Sequence, residues 1–246
     1  MSQVSCPLDL SDAKALLTRA RRHYDEYKKA VHGEGLSTLW EIKESFDRTS
    51  NEWTYRVIVN RARLIDAKPI LSDAASNIIS TLDHVVGAIA RNNGQSRDTG
   101  LHFPRDLRDE QFATGLAKIE DKIGADMAGV LAVARRKFRL EANHVHAVRQ
   151  IANSGKHWEL MVCDAGVDAV ILNEDGRQRV FETPRDADSY EFYRGPQRIT
   201  NGMHLWVILK IEGLGQDLPN TPDSIFECAF RFVDGIMTAL EHTAPS

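Results

Sequence analysis

Apolar residues at Ala13, Leu16, Leu17, Ala20, Tyr24, Tyr27 and Val31 recur every three or four positions. This spacing predicts a first helix over about Ser11–Val31, with Ser11 as its cap. "HGEGLS" ends it. Two β-like runs follow, "LWEIKESF" and "EWTYRVIVN", and the turn-forming "DRTSN" between them makes a hairpin. Pro69 and a Ser72 cap lead into "SDAASNIISTLDHVVGAIA", where Ile78, Ile79, Leu82, Val85, Val86 and Ile89 form a helical stripe. "RNNGQSRDTGLHFPRD" reads as a loop. Two helices are predicted at about Asp109–Ile123 and Asp126–Lys137, with Gly124 as the terminator between them. A central helix then runs over roughly Arg139–Lys156.

After Trp158 the texture turns to β. "WELMVCD", "DAVILN", "RQRVFE", "DSYEFYR" and "MHLWVILKIEG" are spaced by Gly, Asp, Asn and Pro. The intervals are too short for helical crossovers, so the strands should be antiparallel. A last helix opens at Thr221 and Pro222 and carries Ile225, Ala229, Val233, Ile236 and Leu240 on one stripe. The order predicts an α+β fold: N-terminal and central helices packed on an antiparallel sheet, with a C-terminal helix. The sheet would come from the second half, joined by the early hairpin. Residues 1–246 read as one domain, helix-rich over 1–157, strand-rich over 158–215 and closed by a helix over 221–242.

Composition excludes several classes. With 246 residues, 42% hydrophobic and 27% charged, the chain has ordinary globular make-up. A net charge of −4 advertises no nucleic-acid partner overall. The first helix nevertheless carries Arg19, Arg21, Arg22, Lys28 and Lys29, a patch able to meet RNA phosphates, diluted by Asp12, Asp25 and Glu26. No apolar run reaches about 18 residues, so no membrane span is expected. The N-terminal residues lack the pattern of a signal peptide. Cys6, Cys163 and Cys228 are too scattered for a zinc site or a disulfide framework. Cys163 and Cys228 should be buried thiols, and a reducing cytoplasm is the expected setting. No cofactor and no metal is called for.

The chemistry concentrates in "HVHAVRQIANSGKHWEL", residues 144–160. On a helix His146, Arg149, Asn153 and His157 share one face, while His144 and His146 diverge and make a poor metal pair. Asn153, Ser154 and Gly155 look like helix-ending residues, which would set Lys156 and His157 at a C-terminus, where the dipole favours cations. On the preceding long helix Asp83 and His84 border the buried stripe. A buried carboxylate needs a partner, so Asp83 is expected close to His157, with Arg149 or Lys156 completing the cluster. The candidate polar site is therefore Asp83, His84, His146, Arg149, Asn153, Lys156 and His157. It can act as an acid–base pair or as a lock between two helices.

These segments resemble a group of uncharacterised bacterial proteins: "NIISTLDHVVGAIA", "LHFPRD", the helix ending in "GKHW", and the strand-rich part closed by a helix. In that group a Leu-Asp-His helix precedes a Phe-Pro segment and a Lys-His helix end. The resemblance implies the α+β fold and a bacterial cytoplasmic setting, brings no activity, and points to Asp83, His84, Lys156 and His157.

A weaker likeness is to the HEPN ribonucleases, whose motif is an arginine followed, after four to six residues, by a histidine. Arg139 with His144 or His146 fits it, but about two such matches arise by chance in a chain with 9 histidines. No phosphate loop, nucleophile elbow, His-Glu-x-x-His or dinucleotide fingerprint is present. The expectation is a binding or regulatory module with a polar inter-helix site. The alternative is metal-independent ribonuclease activity through Arg139 and His144.

Overall fold

The structure is a computed structural model. It describes residues 8–32, 39–96, 100–104, 109–157, 160–161, 163–172, 177–180, 189–199, 203–215 and 218–243, with side chains at 109, 155–157, 163–172, 177–180 and 203–208 outside that description. The fold is α+β. Contacts divide it into two compact units, each assembled from separated segments: Met1–Asp25, Pro69–Leu160 and Leu214–Ser246 in the first, Glu26–Lys68 and Met161–Gly213 in the second. Two long helices each contribute residues to both units.

The first of these is α1, Ser11–His32. The second is α2, Arg61–Asn92, and it holds Pro69 inside it. The sequence reading starts this helix at Ser72, since proline usually ends or kinks one. Burial explains the continuation: Leu64, Ala67, Leu71, Ala74, Ala75, Ile78, Leu82, Val85 and Ile89 form one unbroken stripe through the proline. Pro69 itself is exposed, and so is Ile65, whose carbonyl the missing N–H leaves unbonded.

The first unit is organised around its last helix, α7, Pro222–Thr243. It comprises also α3 (Asp109–Ala117), α4 (Glu120–Ile123), α5 (Ala125–Lys137) and α6 (Arg139–His157). Gly124 separates α4 from α5 at φ 82°, a left-handed position that glycine adopts without strain. Next to it the Asn93 side chain donates to the Lys122 carbonyl at 3.0 Å. The predicted helix over Asp109–Ile123 is thus two pieces, α3 and α4. Helix α7 packs on α5 and α6. It lies antiparallel to α1: Tyr24 stacks on Phe226 with centroids 4.6 Å apart, while Arg21 pairs with Asp234 at 2.5 Å and Lys14 with Glu241 at 2.6 Å. The stack and the buried Ile225, Phe232, Val233 and Ile236 dominate the energetics, at about 1.5–3 kcal/mol per large apolar side chain. The two rim ion pairs, about half exposed, add at most about 1 kcal/mol each.

The second unit contains the strands. The predicted hairpin is β1 (Trp40–Asp47) and β2 (Glu52–Val59), antiparallel throughout. Its turn is set by the Asp47 carboxylate, which accepts the Thr49 N–H at 2.8 Å, and by Asn51 at φ 57°. The other strands are β3 (Cys163–Leu172), β4 (Arg177–Val180), β5 (Ser189–Gly195) and β6 (Met203–Ile211). They do not form one sheet with the hairpin. One sheet has the order β1-β2-β5 and the other β4-β3-β6, all pairs antiparallel. The strand β3 takes in Cys163 and Asp164 from the end of "WELMVCD" and continues through the run predicted at "DAVILN", while Trp158, Glu159 and Val162 lie outside the described residues. There the register steps from Val167 to Ala169, so Asp168 is absorbed as an extra residue rather than making a turn.

In the β1-β2-β5 sheet, Tyr55, Val57, Val59 and Tyr190 are buried, while Arg56 and Glu191 pair on the exposed face at 3.2 Å. The buried Tyr55 hydroxyl accepts the Ile199 N–H at 3.0 Å. Arg198 bonds Glu44 at 2.6 Å and lies over the Trp53 ring at 4.9 Å, tying the chain after β5 to the hairpin. Tyr27, Val31, Leu64 and Ala67, at the adjoining ends of α1 and α2, add to this unit's buried apolar surface.

Candidate functional site

The helical period of α2 places Asp83 at the edge of its buried stripe, with the side chain 26% exposed. Its partner comes from the segment 101–104. One carboxylate oxygen accepts Nδ1–H of His102 at 2.9 Å, and the other accepts the Phe103 N–H at 2.9 Å. The short segment alternates: Leu101 and Phe103 are buried, while His102 is 40% exposed. Phe103 is held by Phe112 at 5.7 Å and by Phe232 of α7 at 6.2 Å, edge-on. Pro104 presses on α3 where Gly115 lacks a side chain, since a Cβ there would lie 2.8 Å from the Pro104 ring. These contacts fix the ring of His102, and the bond to Asp83 leaves Nε2 as the nitrogen facing outward.

Asp83 therefore has a counter-group in the loop, while the Lys156 and His157 side chains of the expected cluster lie outside the described residues. A histidine between two buried apolar residues ahead of a proline was the available signal, and it was read as loop. A carboxylate-oriented imidazole is the geometry of a general base. Among the described residues no serine, threonine or cysteine completes a nucleophile–imidazole–carboxylate series with it.

Other candidate residues make contacts of their own. His84 faces Asp12 of α1 at 4.0 Å and is largely exposed. His146 pairs with Gln150 one turn along α6 at 3.1 Å. Arg149 is half-buried and Asn153 exposed. The side chains of Lys156 and His157 lie outside the described residues. In the ribonuclease pair, Arg139 is exposed, and both ring nitrogens of His144 are engaged, Nδ1 with the Leu140 carbonyl at 3.1 Å and Nε2 with the Ser224 hydroxyl of α7 at 3.3 Å. That makes His144 a strut between α6 and α7. Of the basic patch on α1, Arg21 is committed to Asp234 and to the Phe230 ring at 5.2 Å, and Arg19 bonds His23. Cys228 is partly buried, and burial pushes its thiol up; the Arg231 guanidinium donates to its sulfur at 2.8 Å. Cys6 and the Cys163 side chain lie outside the described residues. No group of three histidine, cysteine or carboxylate side chains among the described residues would hold a metal ion. No helix among them is long and apolar enough to cross a membrane.

A second site was not foreseen. Between α5 and α7 lies a groove of about 790 Å³. At the end of α5 the Phe138 ring sits against Gly235, and in the first turn of α6 Glu141 lies 3.9 Å from Arg231. Val130, Val133, Ala134 and Ala239 line the middle of the groove, Phe138 walls one end, and two glycines give it depth. Gly235 admits the Phe138 ring to within 2.2 Å of where a Cβ would stand, whereas a Cβ on Gly129 would meet nothing within 4 Å. Val133, 60% exposed, is an apolar residue left off the buried stripe of α5. That mismatch, with a glycine in mid-helix, was the legible sign of the groove. From Asp126 to Phe138 it spans about 18 Å at 1.5 Å per residue.

Comparison with protein-family models, with curated proteins and with solved structures gives no match for this chain. What the protein does is therefore argued from these two places in the first unit.

Proposed function

We propose that this protein is a binding module and that the groove between α5 and α7 takes an elongated, apolar small molecule. One observation carries the reading: a concave volume of about 790 Å³ with an apolar middle, within the size range of small-molecule sites. An empty apolar groove of this size leaves Val133 and the Phe138 wall in water, and filling it removes that surface at about 25 cal/mol per Å². The Asp83–His102 pair serves the same unit as a clamp that holds the 101–104 segment against Phe232 of α7. The bonds made by both nitrogens of His144 favour this reading over ribonuclease chemistry.

The test uses a neutral apolar dye, N-phenylnaphthylamine, whose fluorescence rises on leaving water. Saturable binding of one dye per chain is expected. Gly129→Leu adds a side chain into open groove space and should weaken binding about tenfold or more, about 1.4 kcal/mol. Gly129→Ala should leave it nearly unchanged. Absence of saturable binding, or indifference to the leucine, overturns the proposal.

A further inference from the structure

We infer that the ligand of the groove is a long-chain anionic amphiphile, a fatty carboxylate, bound with its head at the Phe138 end. The inference rests on the binding reading above and adds polarity to it. Charge along the groove is arranged by position. At the Phe138 end the lining carries Lys137 and Arg231, and the sequence "ARRKFR" puts the exposed Arg136 and Arg139 beside them. Asp234 also lines this end, but the Arg21 guanidinium neutralises it at 2.5 Å. Arg231 donates to the Cys228 sulfur at 2.8 Å and stands 3.9 Å from Glu141, but its side chain remains 59% exposed, so the guanidinium keeps donors for a ligand. Lys137 touches the Phe138 ring at 5.6 Å, a contact that keeps its ammonium at the groove mouth.

The middle of the groove carries no charge on Gly129, Val130, Val133, Ala134, Thr238 or Ala239. At the far end stand Asp126 and His242. A carboxylate head there would face the Asp126 carboxylate, whereas at the Phe138 end it meets two cations. The length of about 18 Å suits an extended alkyl chain and exceeds what a compact metabolite needs. An apolar channel with Lys137 and Arg231 at one end, and the Asp126 carboxylate beside His242 at the other, thus favours an anionic head at the Phe138 end.

The experiment displaces the neutral dye with three chain-matched competitors, dodecanoate, dodecanol and dodecylamine, below the concentrations at which they form micelles. Dodecanoate should displace it at about tenfold lower concentration than dodecylamine, with dodecanol between them. The gap should shrink as salt rises, because exposed charges are screened over about 10 Å at 0.1 M. Lys137→Glu with Arg231→Glu should reverse the order, with an unchanged thermal melt showing that the variant is folded; Lys137→Glu alone should narrow the gap. Equal displacement by all three overturns this inference and leaves the binding reading standing. Failure of the dye itself to bind overturns both. Self-association of the chain that excludes the dye and is abolished by Val133→Asp overturns it in favour of a second copy as the occupant.

Discussion

Asp83 and His102 are 19 positions apart in sequence and 2.9 Å apart between Oδ2 and Nδ1, and the same carboxylate also receives the Phe103 N–H. One acidic side chain on α2 thereby holds both a histidine ring and a backbone amide of the 101–104 segment. Asp83→Ala should cost about 1–2 kcal/mol, the range for charge-assisted bonds discounted for partial exposure. His102→Ala should cost less, about 0.5–1 kcal/mol, since the Phe103 N–H keeps its acceptor. Hydrogen exchange at the Phe103 amide is the direct check. It should accelerate in Asp83→Ala and stay slow in His102→Ala; equal rates in the two variants would mean that the carboxylate does not hold the segment.

Pro69 is a costly residue in the interior of α2, where it removes one hydrogen bond. Its site is exposed and Ile65 is solvent-facing, so alanine fits without repacking. Against roughly 3 kcal/mol for proline over alanine in an ideal helix, some is offset by the exposure of residue 65 and some by proline's stiffening of the unfolded chain. Pro69→Ala should therefore stabilise by about 1–2 kcal/mol in urea unfolding. A loss of stability would show that the break at residue 69 is required by the fold.

The two glycines of the groove should respond with opposite signs. Gly129→Ala meets open space on a helix and should stabilise by about 0.5–1 kcal/mol. Gly235→Ala drives a methyl group into the Phe138 ring. Overpacking of about 1–3 kcal/mol outweighs the helix-propensity gain of about 1 kcal/mol, so a net loss is expected. Thermal melts of the two variants side by side decide this, and a gain for Gly235→Ala would refute the packing of Phe138.

Glu191 is bonded by Arg194 through two nitrogens, at 2.7 and 2.8 Å, and by Arg56 at 3.2 Å. The Arg194 bonds lead in pushing its carboxyl down from 4.5 to about 2. The sign follows from that depression. Its stabilising contribution is complete above the unfolded value of 4.5 and is lost as pH falls through the folded value near 2. Glu191→Gln should flatten the fall in stability over this acid interval and leave its slope near neutrality untouched. Tryptophan fluorescence from Trp40 and Trp53 reports on this unit, and an unchanged acid slope would show that the arginines do not act on Glu191.

Local periodicity was enough for most elements. The first helix, the hairpin, the helix over Arg139–His157 and the closing helix behind Thr221 and Pro222 all stand where spacing, caps and turn residues placed them, because each signal lies within a few residues of the element it forms. Three things needed the tertiary structure. The stripe from Leu64 to Ile89 outweighed the local veto of Pro69, since burial along a long helix exceeds the loss of one hydrogen bond. The sorting of strands into β1-β2-β5 and β4-β3-β6 turns on the pairing of β2 with β5, segments more than a hundred residues apart, which alternation cannot specify. The partner of Asp83 was decided by where Phe103 finds its pocket, between Phe112 and Phe232; a carboxylate's need for a counter-group is written in the sequence, but which group arrives is a property of packing.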